Sequence, residues 1–117
     1  MRDGAWHPAG AGATIDGVDP ATGLPRAQIA RGTAEDVEQA VTCAQRALRA
    51  WADNPPVQRA RVLMAISRRI LAEQEHLARL ECQDTGKPLR QARADAVAAA
   101  RFFEYYAGVA DKVLGSS

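Results

Sequence analysis

Two cysteines, two histidines and one conspicuously placed aspartate are the side chains of this sequence best suited to covalent, acid–base or metal chemistry. Cys43 and Cys82 stand 39 residues apart, with no CxxC pair and no histidine pair nearby. A thiol acts as nucleophile or metal ligand only as the thiolate, which needs a base, a cation or a helix N-terminus beside it. Both cysteines fall inside helical patterns that supply neither base nor dipole, so they read as small buried apolar residues of a reducing compartment. His7 lies in a glycine-rich arm and His76 among charged residues, and both read as exposed side chains rather than general bases. Asp84 is different, because a carboxylate at a helix end beside Thr85 and Gly86 opposes the dipole there. An Asx-type bond to the following backbone explains it, and an oxygen-lined cation site helped by hairpin carbonyls is the sharper alternative.

No complete catalytic constellation is present. The sequence has no GxxxxGK[ST] or GxGxxG loop after a strand, no HExxH and no GxSxG elbow. Arg59, Arg61, Arg68, Arg69 and Arg79 place positive charge on the second helical region. No aromatic side chain interleaves with them for base stacking, so they read as a solvated helix face or as partners in inter-domain ion pairs. Phe102-Phe103-Glu104-Tyr105-Tyr106 holds four of the six aromatic residues. Two adjacent pairs cannot share one helix face, so the run must point both into a core and toward a second surface, either another domain or the wall of a substrate tunnel.

Length and composition bound the rest. One chain of 117 residues has room for a single modest domain. It carries 25 alanines against only 22 Leu, Ile, Val and Phe, which points to Ala-rich helices with thin apolar faces. The balance of 15 basic and 14 acidic residues makes no long-range field to gather nucleic acid or an anionic membrane. MRDGAWHPAGAGA has no signal-peptide apolar core, and no apolar run nears the roughly 20 residues that span a bilayer. A soluble, cytoplasmic chain is expected.

The elements that position these residues follow from punctuation and periodicity. Thr14, Ile15 and Val18, then Ala27, Gln28 and Ile29, are short extended candidates joined by the turn Asp19-Pro20-Ala21-Thr22-Gly23, predicting a β-hairpin in an arm over residues 1–32. From Thr33, a helix N-cap, Val37, Ala40, Val41, Ala44, Leu48 and Trp51 recur at helical spacing, so one face of a first helix must be buried. Pro55 and Pro56 separate it from a second helical region over about 56–84, whose rhythm lapses at Glu73 to His76, so a break or change of face is expected there. Gly86 stops that region and Pro88 opens a third helix over about 88–113, with Val97, Ala100, Phe103, Tyr106, Val109 and Val113 on its apolar face and a kink near Asp95. The expected class is α+β: a hairpin followed by three long helices, with no closed core of its own.

Taken in order, four segments resemble the N-terminal part of the aldehyde dehydrogenase superfamily over roughly residues 12–115. They are Asp19-Pro20-Ala21-Thr22-Gly23, Thr33-Ala34-Glu35-Asp36-Val37 opening the helix that ends in Trp51, Asp84-Thr85-Gly86-Lys87-Pro88, and Tyr105-Tyr106-Ala107-Gly108 with Asp111-Lys112. Each is weak alone, and together at this spacing they are specific; the flavour is that of the betaine-aldehyde branch. The resemblance implies an α/β enzyme about four times this length, dependent on NAD or NADP, homo-oligomeric, and oxidising an aldehyde to an acid. Its catalytic cysteine, glutamate and nucleotide loop would lie beyond the matched segment, so Cys43 and Cys82 are not the nucleophile. It also implies that residues 33–117 pack on a nucleotide-binding sheet absent from this chain, which is then inactive by itself.

Two site assignments are implied residue by residue. Relatives hold a monovalent cation, potassium for instance, with carbonyls before the turn proline and the Asp of the DTGKP motif, which correspond to Gly17, Val18 and Asp84. Asp19 stands where the family often has Asn, and a further ligand would lie beyond residue 117. Relatives also line the aldehyde entrance with one face of the helix before YYAG, corresponding to Ala94, Ala98 and Phe102. Two other readings remain open: a stand-alone helical interaction module of the same descent, and a half-enzyme completed by a separate polypeptide.

Overall fold

The computed structural model describes residues 4–112, which form two units: residues up to Asp53, and residues from Asn54 on. In the first, β1 (Thr14–Val18) pairs antiparallel with β2 (Pro25–Ala30). The turn between them is built as its residue types require. The Asp19 carboxylate accepts the Ala21 N–H at 2.8 Å, the Asp19 carbonyl accepts the Gly23 N–H at 2.7 Å, and Gly23 takes φ 72°. A register shift between Gly17 and Val18 marks a β-bulge beside the turn.

α1 (Ala34–Ala52) opens on a complete capping box: Thr33 Oγ1 accepts the Asp36 N–H at 3.2 Å while the Asp36 carboxylate accepts the Thr33 N–H at 2.9 Å. Its apolar face is not buried within the chain. Val37 is 62% exposed and Leu48 61%, and the helix has no buried residue. The periodicity describes a surface ready for burial, and the described strands do not supply the cover, in keeping with a chain read as having no closed core of its own.

The second unit is all helical. The helical region over 56–84, expected to break or change face at Glu73 to His76, is two helices, α2 (Pro56–Ala72) and α3 (Gln74–Thr85), divided at Glu73 with φ −103° and ψ 13°. The break falls at the start of the Glu73 to His76 lapse, so four helices replace the expected three. α3 ends on Gly86 at φ 73°, whose N–H reaches the Cys82 carbonyl. α4 (Leu89–Val109) packs along both α2 and α3, without a break at Asp95. The expected extension of this helix to Val113 falls outside the described residues.

The packed stripe of α4 differs from the one its large residues suggest. Ala92, Ala96, Ala100 and Ala107 are buried, Ala100 to 1% exposure, with Phe103 half-buried, whereas Tyr106 is exposed. At about 100° per residue these alanines lie on one face, and their small side chains let α2 and α3 approach closely. Ala78 of α3 and Ser67 of α2 are the buried residues on the facing helices, while Leu77 and Leu80 stay partly open. Charged pairs join the helices at the rim. Glu75 of α3 takes Arg93 of α4 at 2.7 and 2.9 Å, and Lys87 bridges Glu81 and Asp95.

Candidate functional site

The face of α4 opposite its buried alanines carries the residues nominated for a substrate entrance. Ala94, Ala98 and Phe102 recur every four residues, so helix geometry puts them in one row, and all three are exposed. A shallow groove of about 400 Å³ runs along this row, lined by Ala98, Arg101, Phe102, Tyr105 and Tyr106. Ala94 lies one turn outside it. The Tyr105 and Tyr106 rings meet edge-on at 5.3 Å and 86°, which fixes one wall. The aromatic run thus divides as its spacing required: Phe103 turns inward and Phe102, Tyr105 and Tyr106 outward. Arg101 was not singled out as a site residue by sequence reading, and Tyr105 only as part of the aromatic run. Their register, three and seven residues after Ala98, was the signal available.

The nominated cation ligands belong to separate units, Gly17 and Val18 to the first and Asp84 to the second. The hairpin's bonds assign directions to the carbonyls. Arg31 N–H donates to the Ala13 carbonyl and Asp19 N–H to the Leu24 carbonyl, so residues of odd number along β1 face β2 and even ones face the open edge. The Val18 carbonyl therefore points away from β2. That of Gly17 faces β2, and its second lone pair remains for another partner. Asp84 lies in the last turn of α3 and is exposed. The tight bonds of its corner are made by Thr85, whose hydroxyl donates to the Glu81 carbonyl at 2.7 Å and accepts the Lys87 N–H at 3.3 Å.

Among the described residues, one strand leads through a glycine into a helix: β2, Gly32, then α1. Its N-terminus is filled by the chain's own acid. The Asp36 carboxylate accepts N–H groups from Thr33 and, from 26 residues away, Gly10, as well as the Thr33 hydroxyl. With Glu35 beside it, this end repels a phosphate instead of cradling one. The arm carrying His7 lies against the same junction, in a recess shared with Ala30, Gly32 and Ala40.

Cys43 and Cys82 are thiols outside any disulfide and are half-buried, not fully buried as their residue type suggested. Cys43 rides on α1, which has no buried residue, and Cys82 sits in the final turns of α3. His7 and His76 are exposed. Among the described residues no three His, Cys, Asp or Glu side chains gather as a metal site, and no helix is long and apolar enough to cross a membrane. Four of the five arginines of α2 and α3 have local partners: Arg69 pairs with Glu73 at 2.7 Å, Arg79 with Glu75 at 2.9 Å, Arg59 donates to the Asn54 carbonyl, and Arg61 donates to the Gln58 side chain.

Comparison with known proteins bears on the whole chain. The model of the aldehyde dehydrogenase family matches residues 6–117. A crystal structure described as an aldehyde dehydrogenase from Burkholderia cenocepacia superposes with a TM-score of 0.96 at 50% identity, covering 99% of this chain and 25% of its own. PnpE from Pseudomonas sp. WBC-3 gives 0.94 at 41% identity, covering 98% and 24%, and has also been solved with nicotinamide adenine dinucleotide. A betaine aldehyde dehydrogenase mutant from Staphylococcus aureus, solved with NAD+, gives 0.94 at 35% identity, covering 98% and 24%. The chain thus spans about a quarter of the length of these solved relatives. The chain belongs to the aldehyde dehydrogenase family and has the fold of its N-terminal part.

Proposed function

We propose that this chain is the N-terminal segment of an NAD+-dependent aldehyde dehydrogenase that oxidises an aldehyde to a carboxylic acid, and that the segment alone is inactive. The observation that carries the reading is the match over residues 6–117 together with superposition on one quarter of the solved relatives. The NAD+ complexes of two of those relatives support the choice of cofactor for the whole enzyme. The residues of this chain do not fit the dinucleotide themselves, because Asp36 and Glu35 occupy the β2–Gly32–α1 junction where a phosphate would have to lie. Nucleotide binding and the chemical step therefore belong to the remaining polypeptide. The arm over residues 1–32 and the helices over 33–117 pack on that part, with Val37, Val41, Leu48 and Trp51 of α1 as apolar cover, in a homo-oligomeric cytoplasmic enzyme.

Two sites on this chain serve that enzyme. Ala94, Ala98 and Phe102 line the aldehyde entrance, and the small side chains of the first two leave it wide. Ala98→Trp in the full-length enzyme then raises the aldehyde KM, and an unchanged KM removes the assignment. The resemblance also assigns the carbonyls of Gly17 and Val18 and the Asp84 side chain to a potassium ion of the full enzyme; amide signals of the hairpin and of Asp84 that stay still through a potassium titration would sink this assignment. The reading as a whole is tested by following NADH formation from an aldehyde with this chain alone and with the longer polypeptide that contains it. Activity only in the longer form supports it. Activity on mixing with a separate polypeptide makes the enzyme a two-chain one, and a stable, monomeric, inactive chain without any such partner favours an interaction module.

A further inference from the structure

The groove on α4 is apolar over nearly all of its lining, with a single cation at its edge. Ala98, Phe102, Tyr105 and Tyr106 supply the walls, and Arg101 is the one ionisable cation among the lining residues. Arg101 shares with Arg68 and Arg90 the lack of a carboxylate partner among the described residues and, unlike them, lines the groove. Arg69, Arg79, Lys87 and Arg93 each hold a carboxylate within 3 Å. Arg101, six residues beyond Asp95 and exposed, makes no ion pair or hydrogen bond among the described residues.

The charges around it do not neutralise the groove edge. At about 100° per residue, Arg101 lies some 60° to one side of Ala98, and Glu104 lies a further 60° beyond it, on the side away from the groove. Asp95 lies on the opposite flank one turn earlier and is engaged by Lys87. The groove therefore presents aromatic and methyl surface ending in one uncompensated guanidinium. A guanidinium on such a surface binds a planar carboxylate through paired N–H donors and keeps its charge at any working pH. It also repels a quaternary ammonium group, which the aromatic walls alone would attract.

We infer that the aldehyde handled by the full enzyme carries a carboxylate at its far end, with an unbranched or ring-bearing apolar stretch between the two groups, and that Arg101 is the residue that selects it. This rests on the reading of α4 as the entrance wall. The acid group is held at the mouth by Arg101, Phe102 and Tyr105 cover the middle of the molecule, and the aldehyde carbon points inward past Ala98. Arg101 acts by binding the distal end, so its contribution is to specificity and not to the chemical step.

The test uses the full-length enzyme with 6-oxohexanoate and hexanal, which match in chain length and differ in the terminal charge. The wild type is expected to prefer 6-oxohexanoate in kcat/KM. Arg101→Gln is expected to lower that preference about tenfold or more, through KM for 6-oxohexanoate, as loss of one charge-assisted pair predicts. Arg101→Lys is expected to restore part of it, because a point charge replaces the planar fork. A preference that Arg101→Gln leaves unchanged overturns the inference while leaving the dehydrogenase reading intact. So does a variant that alters both substrates equally and lowers the melting temperature of the assembled enzyme, which would place Arg101 in an interface. If neither aldehyde is oxidised with NAD+ by the wild type, the dehydrogenase reading itself falls, and this one with it.

Discussion

Removing the rest of the polypeptide is the perturbation whose result the structure predicts most sharply. The chain exposes 9093 Å². A compact monomer of 12.5 kDa exposes roughly 6,200 Å² and its unfolded chain roughly 18,100 Å². Folding this chain alone therefore buries about 9,000 Å² where a self-sufficient domain of equal mass buries about 12,000 Å². Because the slope of stability against denaturant follows the area exposed on unfolding, its m-value should be about three quarters of that of an ordinary domain of this size. Among the described residues no large side chain is fully buried, and the buried ones are alanines and one serine. The isolated chain should show strong helical circular dichroism, weak near-ultraviolet signal from Trp6 and Trp51, a broad melt and binding of an apolar dye. The longer polypeptide should lose the dye binding and melt cooperatively. A purified monomer of this chain that melts sharply, binds no dye and reaches the full m-value would refute the reasoning, since the apolar faces would then be covered from within.

Three smaller perturbations follow from particular contacts. Asp36→Ala removes the carboxylate that closes the capping box and holds Gly10, so it should cost about 1 kcal/mol; amide exchange should quicken at Gly10 and Thr33 and stay unchanged at Gly23 in the hairpin turn. Ala100→Leu forces three carbons between α4 and its neighbours and should cost about 1–3 kcal/mol, whereas Ala99→Leu on the exposed side should stay within about 0.5 kcal/mol, both read from melts of the full-length enzyme. The pH response has a definite sign on each side. Hydrogen bonding from Arg93, then Arg79, holds Glu75 below its ordinary 4.5, so its contribution is present above that value and lost as acid protonates it. Asp95, then Glu81, hold Lys87 above its ordinary 10.5, so its contribution is present below that value and lost as alkali deprotonates it. Denaturation midpoints should be flat between these limits and fall outside them, and Glu75→Gln should blunt the acid limb alone; an acid limb unchanged by Glu75→Gln would discount the pair.

Much of the local structure was legible from residue types because it is decided within a few residues of chain. Asp19, Pro20 and Gly23 make their own turn, Thr33 and Asp36 make their own cap, and Gly86 ends α3 because a residue without Cβ takes φ 73° at little cost. The break at Glu73 was visible as lost apolar rhythm, although rhythm alone did not say that two separate helices result. The family was legible too, since its turn and cap segments keep their order and spacing. Tertiary structure decided what packing distance decides. Large side chains drew attention to Tyr106, yet the helices meet along Ala92, Ala96 and Ala100, because only small side chains allow axes to approach closely enough to bury a face. That choice turns the opposite face of α4 outward and gathers Ala98, Arg101, Phe102 and Tyr105 along one groove. Whether an apolar stripe is covered depends likewise on a partner surface. α1 has the stripe, and its residues alone could not tell that the chain would leave it open.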